Sequence, residues 1–323
     1  MKKVFPKGLI SGKQMADTLK KLHSQSVFVD AESADRIVIS RVDSVLASVQ
    51  SPYQQIDIFT TPHFGLVLAL DGIIQLAQSD EHIYHELLIH PACLLSTELR
   101  SALIFGGGDG CAARELLRYK EIQEIEMVEI DQTVVDLCRI HLAPVNAGAL
   151  DDPRVKIIVG EGESYLHRHP DKEYDLILAD LTEPYDTAGP GGDLSRHLFS
   201  TEFYEFLKSH MSPEAILVVQ TGGIIGNPAV DRHHASIIGD LRRSFRRVAT
   251  CYVYIHSFDQ MWTISLASDH DYDIVGLDPV PRLERHGISS LRYYDTLSHI
   301  MTFQTPRHIR EELAHPIHRQ VQR

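Results

Sequence analysis

The apolar and polar positions of the chain form two different patterns. Residues 36–76 contain three short runs rich in β-branched residues, RIVISRVDSVLASVQ, YQQIDIFTTP and FGLVLALDG. These runs are interrupted by turn-forming residues: Pro52, Pro62, Gly65 and Gly72. This arrangement predicts hairpins in a small antiparallel sheet. Residues 1–35 have no clear period and receive no assignment.

The second pattern begins with a helix and then alternates. SDEHIYHELLIHPACLL (79–95) has apolar residues at helical spacing behind two candidate N-cap residues, Ser79 and Asp80. From Ser101 strand-like and helical runs follow each other: SALIF, CAARELLRYK, EIEMVEI, DQTVVDLCRIHL, VKIIVG, YDLILAD, EFYEFLKSH and AILVVQ. Strict alternation predicts right-handed crossovers onto a parallel sheet. A helix near 231–245 and two strand-like runs, ATCYVYI and MWTISLAS, come next.

These patterns predict an α/β protein with a small antiparallel domain in front of its parallel sheet. The predicted division has four parts: an unassigned N-terminal segment (1–35), a β-hairpin domain (36–78), a catalytic domain (79–277) and a C-terminal tail (278–323). The tail is rich in His and Arg and is expected to wrap the surface or line the site rather than fold alone.

Composition and charge restrict the class of protein. The 323 residues are 43% hydrophobic and 23% charged, which is typical of a globular chain. The net charge of −13 argues against nucleic acid or an anionic membrane as a partner. No run is long and apolar enough to span a membrane, and the basic opening MKKVFPKGLISGKQ lacks a signal-peptide core, so we expect a cytoplasmic protein.

The four cysteines do not form a metal or redox motif. Cys93, Cys111, Cys138 and Cys251 are far apart, with no C-x-x-C pair and no zinc spacing. We therefore expect small buried hydrophobic residues. The histidine groups His167-Arg168-His169 and His233-His234 lack a further ligand at plausible spacing, so we expect solvated side chains and no metal.

A glycine-rich loop indicates a nucleotide-type ligand. Gly106-Gly107-Gly108-Asp109-Gly110 lies between a predicted strand and a predicted helix, where glycines permit a tight turn and close approach of a ligand. The loop alone is not specific. Glu129 ends the next strand, about 20 residues on, where an acidic residue typically binds ribose hydroxyls. A dinucleotide and an adenosyl compound both remain compatible with these two features.

The charge of Asp109 favours the adenosyl compound. A diphosphate would face this carboxylate as a second anion in a poorly screened site. A sulfonium with a free ammonium group would be attracted to it. Ordinary S-adenosylmethionine also has a carboxylate at that end, whereas the decarboxylated form has only the amine. Asp109 therefore fits decarboxylated S-adenosylmethionine best.

Acidic residues follow several predicted strands at their carboxyl ends. They are Asp109, Glu129, Glu161 and Asp180, with Glu183 three residues beyond Asp180. Ligands of open parallel sheets bind along that edge. Solvated loop carboxylates are common, but five in register indicate a site for cations.

The sequence resembles the polyamine aminopropyltransferases, from about Arg36 to about Ala314. The resemblance lies in an ordered series of motifs: YQQI (53–56), LDGIIQ (70–75), DEHIYHE (80–86), GGGDG (106–110), VEID (128–131), VGEG (159–162), DLTEP (180–184) and LFSTEFYEFL (198–207). ARELLRYK, DLTEP and LRYYD (291–295) look nearer to the thermospermine and agmatine-type branch than to ordinary spermidine synthase.

The resemblance implies a Rossmann-like, methyltransferase-type sheet and an aminopropyl transfer. The donor, decarboxylated S-adenosylmethionine, would be a co-substrate, and no cofactor is implied. The acceptor would be putrescine, agmatine or spermidine. The family pattern also implies a homodimer or homotetramer built through the hairpin domain. Two alternatives stay open: a methyltransferase using ordinary S-adenosylmethionine, and a non-catalytic polyamine-binding relative.

The same resemblance assigns roles to individual residues. Asp180 matches the catalytic base, aided by Tyr84, and Glu183 matches the second acid, which holds the acceptor amine. Asp109 matches the acid shared by donor and acceptor, and Glu129 the ribose ligand. The remaining matches are Glu161 and Gly162 on the adenine side, Gly106 and Gly108 in the donor loop, Gln54, Gln75, Tyr84 and His85 closing the pocket, and Phe258 beside the acceptor.

Three departures from the family pattern limit this assignment of roles. Glu161 and Glu183 each stand where the family usually has Asp, which moves the carboxylate out by one methylene. DLTEP is followed by a longer insert, YDTAGPGGDLSRH (185–197), which is either a lid or a surface loop. The pair Tyr293-Tyr294 either caps the pocket or packs the tail.

Overall fold

The computed structural model describes residues 26–33, 36–181, 197–224 and 228–314. The chain divides into two compact units, Met1–Ser79 and Asp80–Arg323. Within the described residues, no helix is both long and apolar enough to cross a bilayer.

The N-terminal unit contains two antiparallel sheets. One is a hairpin of β1 (Val27–Ser33) and β2 (Arg36–Arg41). The other is a meander in the order β3 (Ser44–Gln50), β4 (Gln55–Thr61), β5 (Gly65–Leu70) and β6 (Ile73–Ala77). Strand β1 lies within residues 1–35, which received no assignment from the sequence pattern.

The second unit begins with α1 (Glu81–Leu95) and then alternates strands and helices. Its strands are β7 (Ser101–Gly106), β8 (Glu124–Glu129), β9 (Val155–Val159), β10 (Tyr174–Asp180), β11 (Met211–Ile224), β12 (Arg247–Ile255) and β13 (Gln260–Ser268). Its further helices are α2 (Cys111–Leu116), α3 (Gln132–His141), α4 (Ala143–Asn146), α5 (Gly162–His167), α6 (Thr201–Lys208), α7 (Pro228–Ser244), α8 (Pro279–Arg285), α9 (Thr296–Thr302) and α10 (Arg307–Ala314). Short 3-10 turns span Ala149–Asp151 and His197–Phe199.

The seven strands of this unit form one mainly parallel sheet in the order β12-β13-β11-β10-β7-β8-β9. The pairs from β11 to β9 are parallel, and only β13 runs antiparallel to its neighbours β11 and β12. From β7 the chain continues to one side through β8 and β9, and β10 then starts the other side. The carboxyl ends of β7 and β10 therefore flank the switch point where such sheets bind ligands. The predicted α/β class is confirmed.

The sheet is stabilised by apolar side chains on both faces. Central strands such as β7 and β10 are almost continuously buried, as expected for strands covered by helices on each side. Helix α6 contributes Phe203, Tyr204 and Leu207 to the main hydrophobic cluster. Each such side chain contributes about 1.5–3 kcal/mol relative to exposure. All four cysteines are buried and free, as predicted from their spacing.

The C-terminal segment is anchored to α1 through one carboxylate. Glu86, which is buried, accepts hydrogen bonds from the backbone amides of Arg292, Tyr293 and Tyr294, each at 2.8 Å. Tyr294 is buried too, and its hydroxyl bonds to His299 Nδ1 at 2.8 Å. The two alternatives for the tyrosine pair were capping the pocket and packing the tail. For Tyr294 the structure supports packing of the tail.

Two local predictions need correction. Asp80 is the N-cap residue of α1, as one of the two candidates, but its carboxylate makes no cap bond to the helix and instead accepts from Ser257 N at 2.7 Å and Ser257 Oγ at 2.9 Å. His234 is not solvated: it is 3% exposed, because it lies on the face of α7 that packs against the sheet, with Nδ1 3.2 Å from Thr263 Oγ1.

Candidate active site

The glycine loop after β7 is in close contact with the end of β10. Gly106 has a φ of +77°, and a Cβ on it would lie 2.2 Å from the carbonyl oxygen of Asp180. The two residues are also register partners in the parallel pair of β7 and β10. A Cβ on Gly108 would lie 3.0 Å from Glu129 Oε2. The loop therefore places the main chain where only glycine fits, beside the two strand-end acids.

Asp180 is held by a tyrosine from α1. The hydroxyl of Tyr84 donates a hydrogen bond to Asp180 Oδ1. The ring of Tyr84 meets the ring of Phe258 edge-to-face, with centroids 6.3 Å apart, and Phe258 packs on Trp262 at 4.7 Å. Phe258 lies in the turn between β12 and β13. Three predicted site residues, Asp180, Tyr84 and Phe258, are thus brought together from three distant parts of the chain.

His85 and Asp109 complete this group. Nε2 of His85 lies 3.7 Å from Asp109 Oδ1. Polar atoms of His85, Asp109 and Asp180 all lie within 4.8 Å of one another. The Asp109 carboxylate also accepts the amide of Cys111 at 2.7 Å, which fixes it at the start of α2. Two carboxylates and one imidazole therefore face a common point.

The charges of this group shift its proton affinities. Burial, followed by the negative charge of Asp109, raises the pKa of Asp180 to about 6, although His85 and Tyr84 act in the opposite direction. Burial alone would lower the pKa of His85, but its bond to Glu81 and the charges of Asp109 and Glu81 raise that pKa to about 9. Near neutral pH, Asp180 is a carboxylate close to its protonation point, and His85 is an imidazolium.

The predicted donor-side acids lie on the neighbouring strands. Glu129 ends β8 and is buried, which raises its pKa to about 7, and its Oε1 accepts the amide of Asp131 at 3.0 Å. Glu161 caps α5 by accepting the amides of Glu163 at 2.9 Å and Ser164 at 2.7 Å. A Cβ on Gly162 would lie 2.2 Å from the ring of Phe105, so the start of α5 also requires glycine.

The other predicted positions lie elsewhere. Gln54, in the turn before β4, and Gln75, in β6, belong to the N-terminal unit. Glu183 and nearly all of the 185–197 insert lie outside the described residues.

Sequence reasoning missed two charged residues next to His85. Glu81 accepts from His85 Nδ1 at 2.9 Å, and both of its oxygens bind the guanidinium of Arg114, at 2.9 and 2.8 Å. The i, i+4 spacing of Glu81 and His85 on a predicted helix was an available signal. The sequence carries no such signal for Arg114, because its partner Glu81 lies 33 positions away.

Two clusters of potential ligand atoms occur among the described residues. In Glu81, His85 and Cys111 the carboxylate is already engaged by Arg114, and burial raises the pKa of the Cys111 thiol well above its usual range. In His85, Asp109 and Asp180 the two carboxylates surround one point. That pattern suits the ammonium group of a small amine, which needs charge and hydrogen-bond acceptors.

Comparison with known proteins gives two family matches that together cover most of the chain. The spermine/spermidine synthase domain matches residues 81–275, and the spermidine synthase tetramerisation domain matches residues 27–78. The second match supports an oligomer.

Individual relatives agree with these matches. A polyamine aminopropyltransferase of Aeropyrum pernix is 34% identical over 294 residues, covering 90% of this chain and 91% of the relative. Polyamine aminopropyltransferase 2 of Pseudomonas aeruginosa is 37% identical over 240 residues, covering 74% of this chain and 66% of the relative.

Solved structures give the same result. A spermidine synthase in complex with the transition-state analogue AdoDATO has a TM-score of 0.77 at 29% identity, covering 90% of this chain and 95% of that chain. The spermidine synthase of Thermotoga maritima has a TM-score of 0.76 at 27% identity, covering 90% and 94%. The chain therefore belongs to the spermine/spermidine synthase family of polyamine aminopropyltransferases.

Proposed function

We propose that the protein transfers the aminopropyl group of decarboxylated S-adenosylmethionine to a primary amine of a polyamine. The observation that carries the proposal is the cluster of Asp180, Asp109 and His85, with Tyr84 bonded to Asp180. The acceptor nitrogen attacks the carbon next to the sulfonium, a C–N bond forms, and the C–S bond breaks with its electron pair on sulfur. Methylthioadenosine leaves, and the released proton passes to Asp180.

The main chemical difficulty is the protonation state of the acceptor, because a polyamine nitrogen is almost fully protonated near neutral pH. A base within hydrogen-bond reach is therefore needed. Burial supports Asp180 in this role, since it raises the pKa of that carboxyl to about 6 and makes it a better proton acceptor than an exposed aspartate. The sulfonium is already a good leaving group, so the proposal includes no cofactor and no metal.

The remaining roles follow the order of acids along the sheet edge. Asp109 binds the ammonium of the aminopropyl group, Glu129 the ribose hydroxyls, and Glu161 with Gly162 the adenine side. Phe258 and Glu183 bind or enclose the acceptor. Holding the amine, carbon and sulfur in line supplies part of the rate, because well-oriented reactants can lower a barrier by several kcal/mol.

We further propose that copies of the chain assemble through the N-terminal unit. Its first strands expose an unusual number of apolar side chains: Val27, Val29, Val38, Ile39, Val45, Leu46 and Val49. Of these side chains, Val45 has the largest exposed fraction, 60%. Exposed apolar patches of this kind are typical of subunit contacts.

Replacement of Asp180 by Asn tests the chemical role. Asp180→Asn should abolish release of methylthioadenosine and leave methylthioadenosine binding, measured by calorimetry, largely intact. The matched control is Asp175→Asn at the other end of β10, where the carboxylate only accepts bonds from Arg100, Ser101 and Ser212. A near-normal rate in Asp180→Asn would exclude Asp180 as the base.

The acceptor is identified by product mass. The wild-type protein is incubated with decarboxylated donor and putrescine, agmatine or spermidine in turn. We expect one of these amines to gain an aminopropyl group. A methyl gain with ordinary S-adenosylmethionine, or no product with any amine, would contradict the proposal.

A further inference from the structure

A buried ion pair fixes the orientation of one carboxylate at the start of α1. Glu81 is 6% exposed, and both of its oxygens accept from the two terminal nitrogens of Arg114. Arg114 is itself held by the carbonyl of Val145 at 2.7 Å and by Glu115 at 2.8 Å. Bidentate pairs of this kind add geometric specificity to charge. Glu81 therefore has a single orientation, set from α2.

Two oxygens of Glu81, one of its carboxylate and one of its main chain, determine which nitrogen of His85 carries hydrogen. Nδ1 of His85 lies 2.9 Å from Glu81 Oε2 and 2.8 Å from the main-chain oxygen of Glu81. A carbonyl oxygen only accepts, so Nδ1 must be the donor in either charge state of the ring. Nε2 is then the nitrogen directed at Asp109, 3.7 Å away. An imidazole held by a carboxylate in this way keeps one tautomer and one orientation.

The charged and titratable groups around His85 come from four elements. They are Glu81 and Tyr84 on α1, Asp109 in the glycine loop, Cys111 and Arg114 on α2, and Asp180 at the end of β10. The opposing contributions are burial and Arg114, which disfavour the imidazolium, and Glu81 with Asp109, which favour it. The charge of His85 in turn favours the ionised form of Asp180 against repulsion by Asp109.

We infer that Glu81 and Arg114 are positioning residues for the reaction: Glu81 fixes the tautomer, orientation and charge of His85, and Arg114 fixes Glu81. The inference deepens the proposed function and rests on it. Without the imidazolium, two neighbouring carboxylates would share the site, and one would retain a proton at higher pH. Asp180 would then be less available as the proton acceptor. Neither Glu81 nor Arg114 needs to touch a substrate for this effect.

The first test observes His85 directly in the full-length protein without substrates. The imidazole signals of the 19 histidines are titrated by NMR, and the His85 signal is assigned by its loss in His85→Gln. In the wild type we expect His85 to titrate well above its usual range. In Glu81→Gln, which keeps the size of the side chain and removes the charge, we expect burial to prevail and the titration of His85 to fall by about three pH units, so that the ring is neutral across the acidic limb set by Asp180.

The second test is the pH dependence of kcat. Glu81→Gln should move the acidic limb up by about one pH unit, so that the rate on that limb drops about tenfold. Glu81→Asp keeps the charge. It should bring both the His85 titration and the acidic limb of the kcat profile part of the way back to their wild-type positions. It also provides a readout if Glu81→Gln does not fold.

Glu126→Gln is the matched control. Glu126 is also a buried carboxylate, bonded to Tyr165, Tyr174 and Lys172, but none of these groups belongs to the site. It should lower stability without changing the His85 titration or the pH profile. The inference is overturned if His85 titrates identically in Glu81→Gln and the wild type, or if Glu81→Gln loses rate with an unchanged profile. If the wild type forms no product, the proposed function fails, while the NMR titration still decides this inference.

Discussion

The close contact between Gly106 and Asp180 predicts that a single methyl group, added away from every reacting atom, will disable the enzyme. In Gly106→Ala the new Cβ would lie 2.2 Å from the Asp180 carbonyl oxygen, whereas Cβ contacts below 3.0 Å are essentially never observed. The two strand ends must therefore separate by about 0.8 Å. The position also has a φ of +77°, which costs alanine about 1–2 kcal/mol in backbone strain.

The catalytic loss can be estimated from this displacement. A misplacement of about 1 Å in a catalytic group can reduce the rate about 100-fold, or about 2.7 kcal/mol in activation free energy. The movement would shift Asp180 relative to Asp109 and to the amine that we propose it deprotonates. We therefore expect kcat to fall about 100-fold in Gly106→Ala, in addition to a lower melting temperature.

Gly287→Ala separates backbone strain from displacement. Gly287 follows α8 in the C-terminal segment with a φ of +71°, and a Cβ there would meet no atom within 4 Å. It should therefore lose stability from strain alone and keep the wild-type kcat. Release of methylthioadenosine gives kcat, and differential scanning calorimetry gives the melting temperature. The reasoning is refuted if Gly106→Ala retains the wild-type kcat, or if the two variants lose rate equally.

Two further predictions concern pH and the C-terminal segment. If Asp180 is the base, as we propose, it must be ionised to accept a proton, and its pKa is raised to about 6. The kcat measured in buffers of constant ionic strength should then be level above that pH and fall about tenfold per pH unit below it. An acidic limb at the usual pKa of an aspartate would contradict this. Glu86→Gln leaves buried amides of the tail without a full set of acceptors, so the free energy of unfolding in urea should fall by about 1–3 kcal/mol and trypsin cleavage at Arg292 should increase. Glu311→Gln, which removes an exposed partner of Arg307, should change neither quantity.

Periodicity predicted the sheet because its strands are buried on both sides. Runs such as YDLILAD and AILVVQ have continuously apolar centres, and their alternation with helices leaves few topologies. Strand β1 was missed because it lacks such an apolar, buried run. Val27 and Val29 point to solvent while Asp30 is buried, which inverts the usual pattern. Such a strand is recognised from the sequence only when its partner surface is known.

The candidate site was predictable where position along a strand determines position in space. Asp109 and Asp180 follow β7 and β10, and parallel neighbours bring those ends together whatever the side chains are. Contacts made across elements were not predictable. Asp80 resembles an N-cap by sequence, yet its carboxylate bonds to Ser257, which lies 177 positions away. The residues around Asp80 do not indicate that a distant serine will bind its carboxylate in place of the helix amides.

Helix α1 explains why the site and the tail were hard to separate from sequence. Four of its buried polar residues point to different partners: Glu81 to Arg114, Tyr84 to Asp180, His85 to Asp109, and Glu86 to the backbone of 292–294. Buried charges are tolerated only with such partners, because an unpaired one carries a large desolvation cost. Tyr84 and His85, the α1 residues of the proposed site, therefore lie one or two residues from Glu86, which anchors the tail. A change in the anchoring of α1, at Arg114 or at the tail, must then also move Tyr84 and His85.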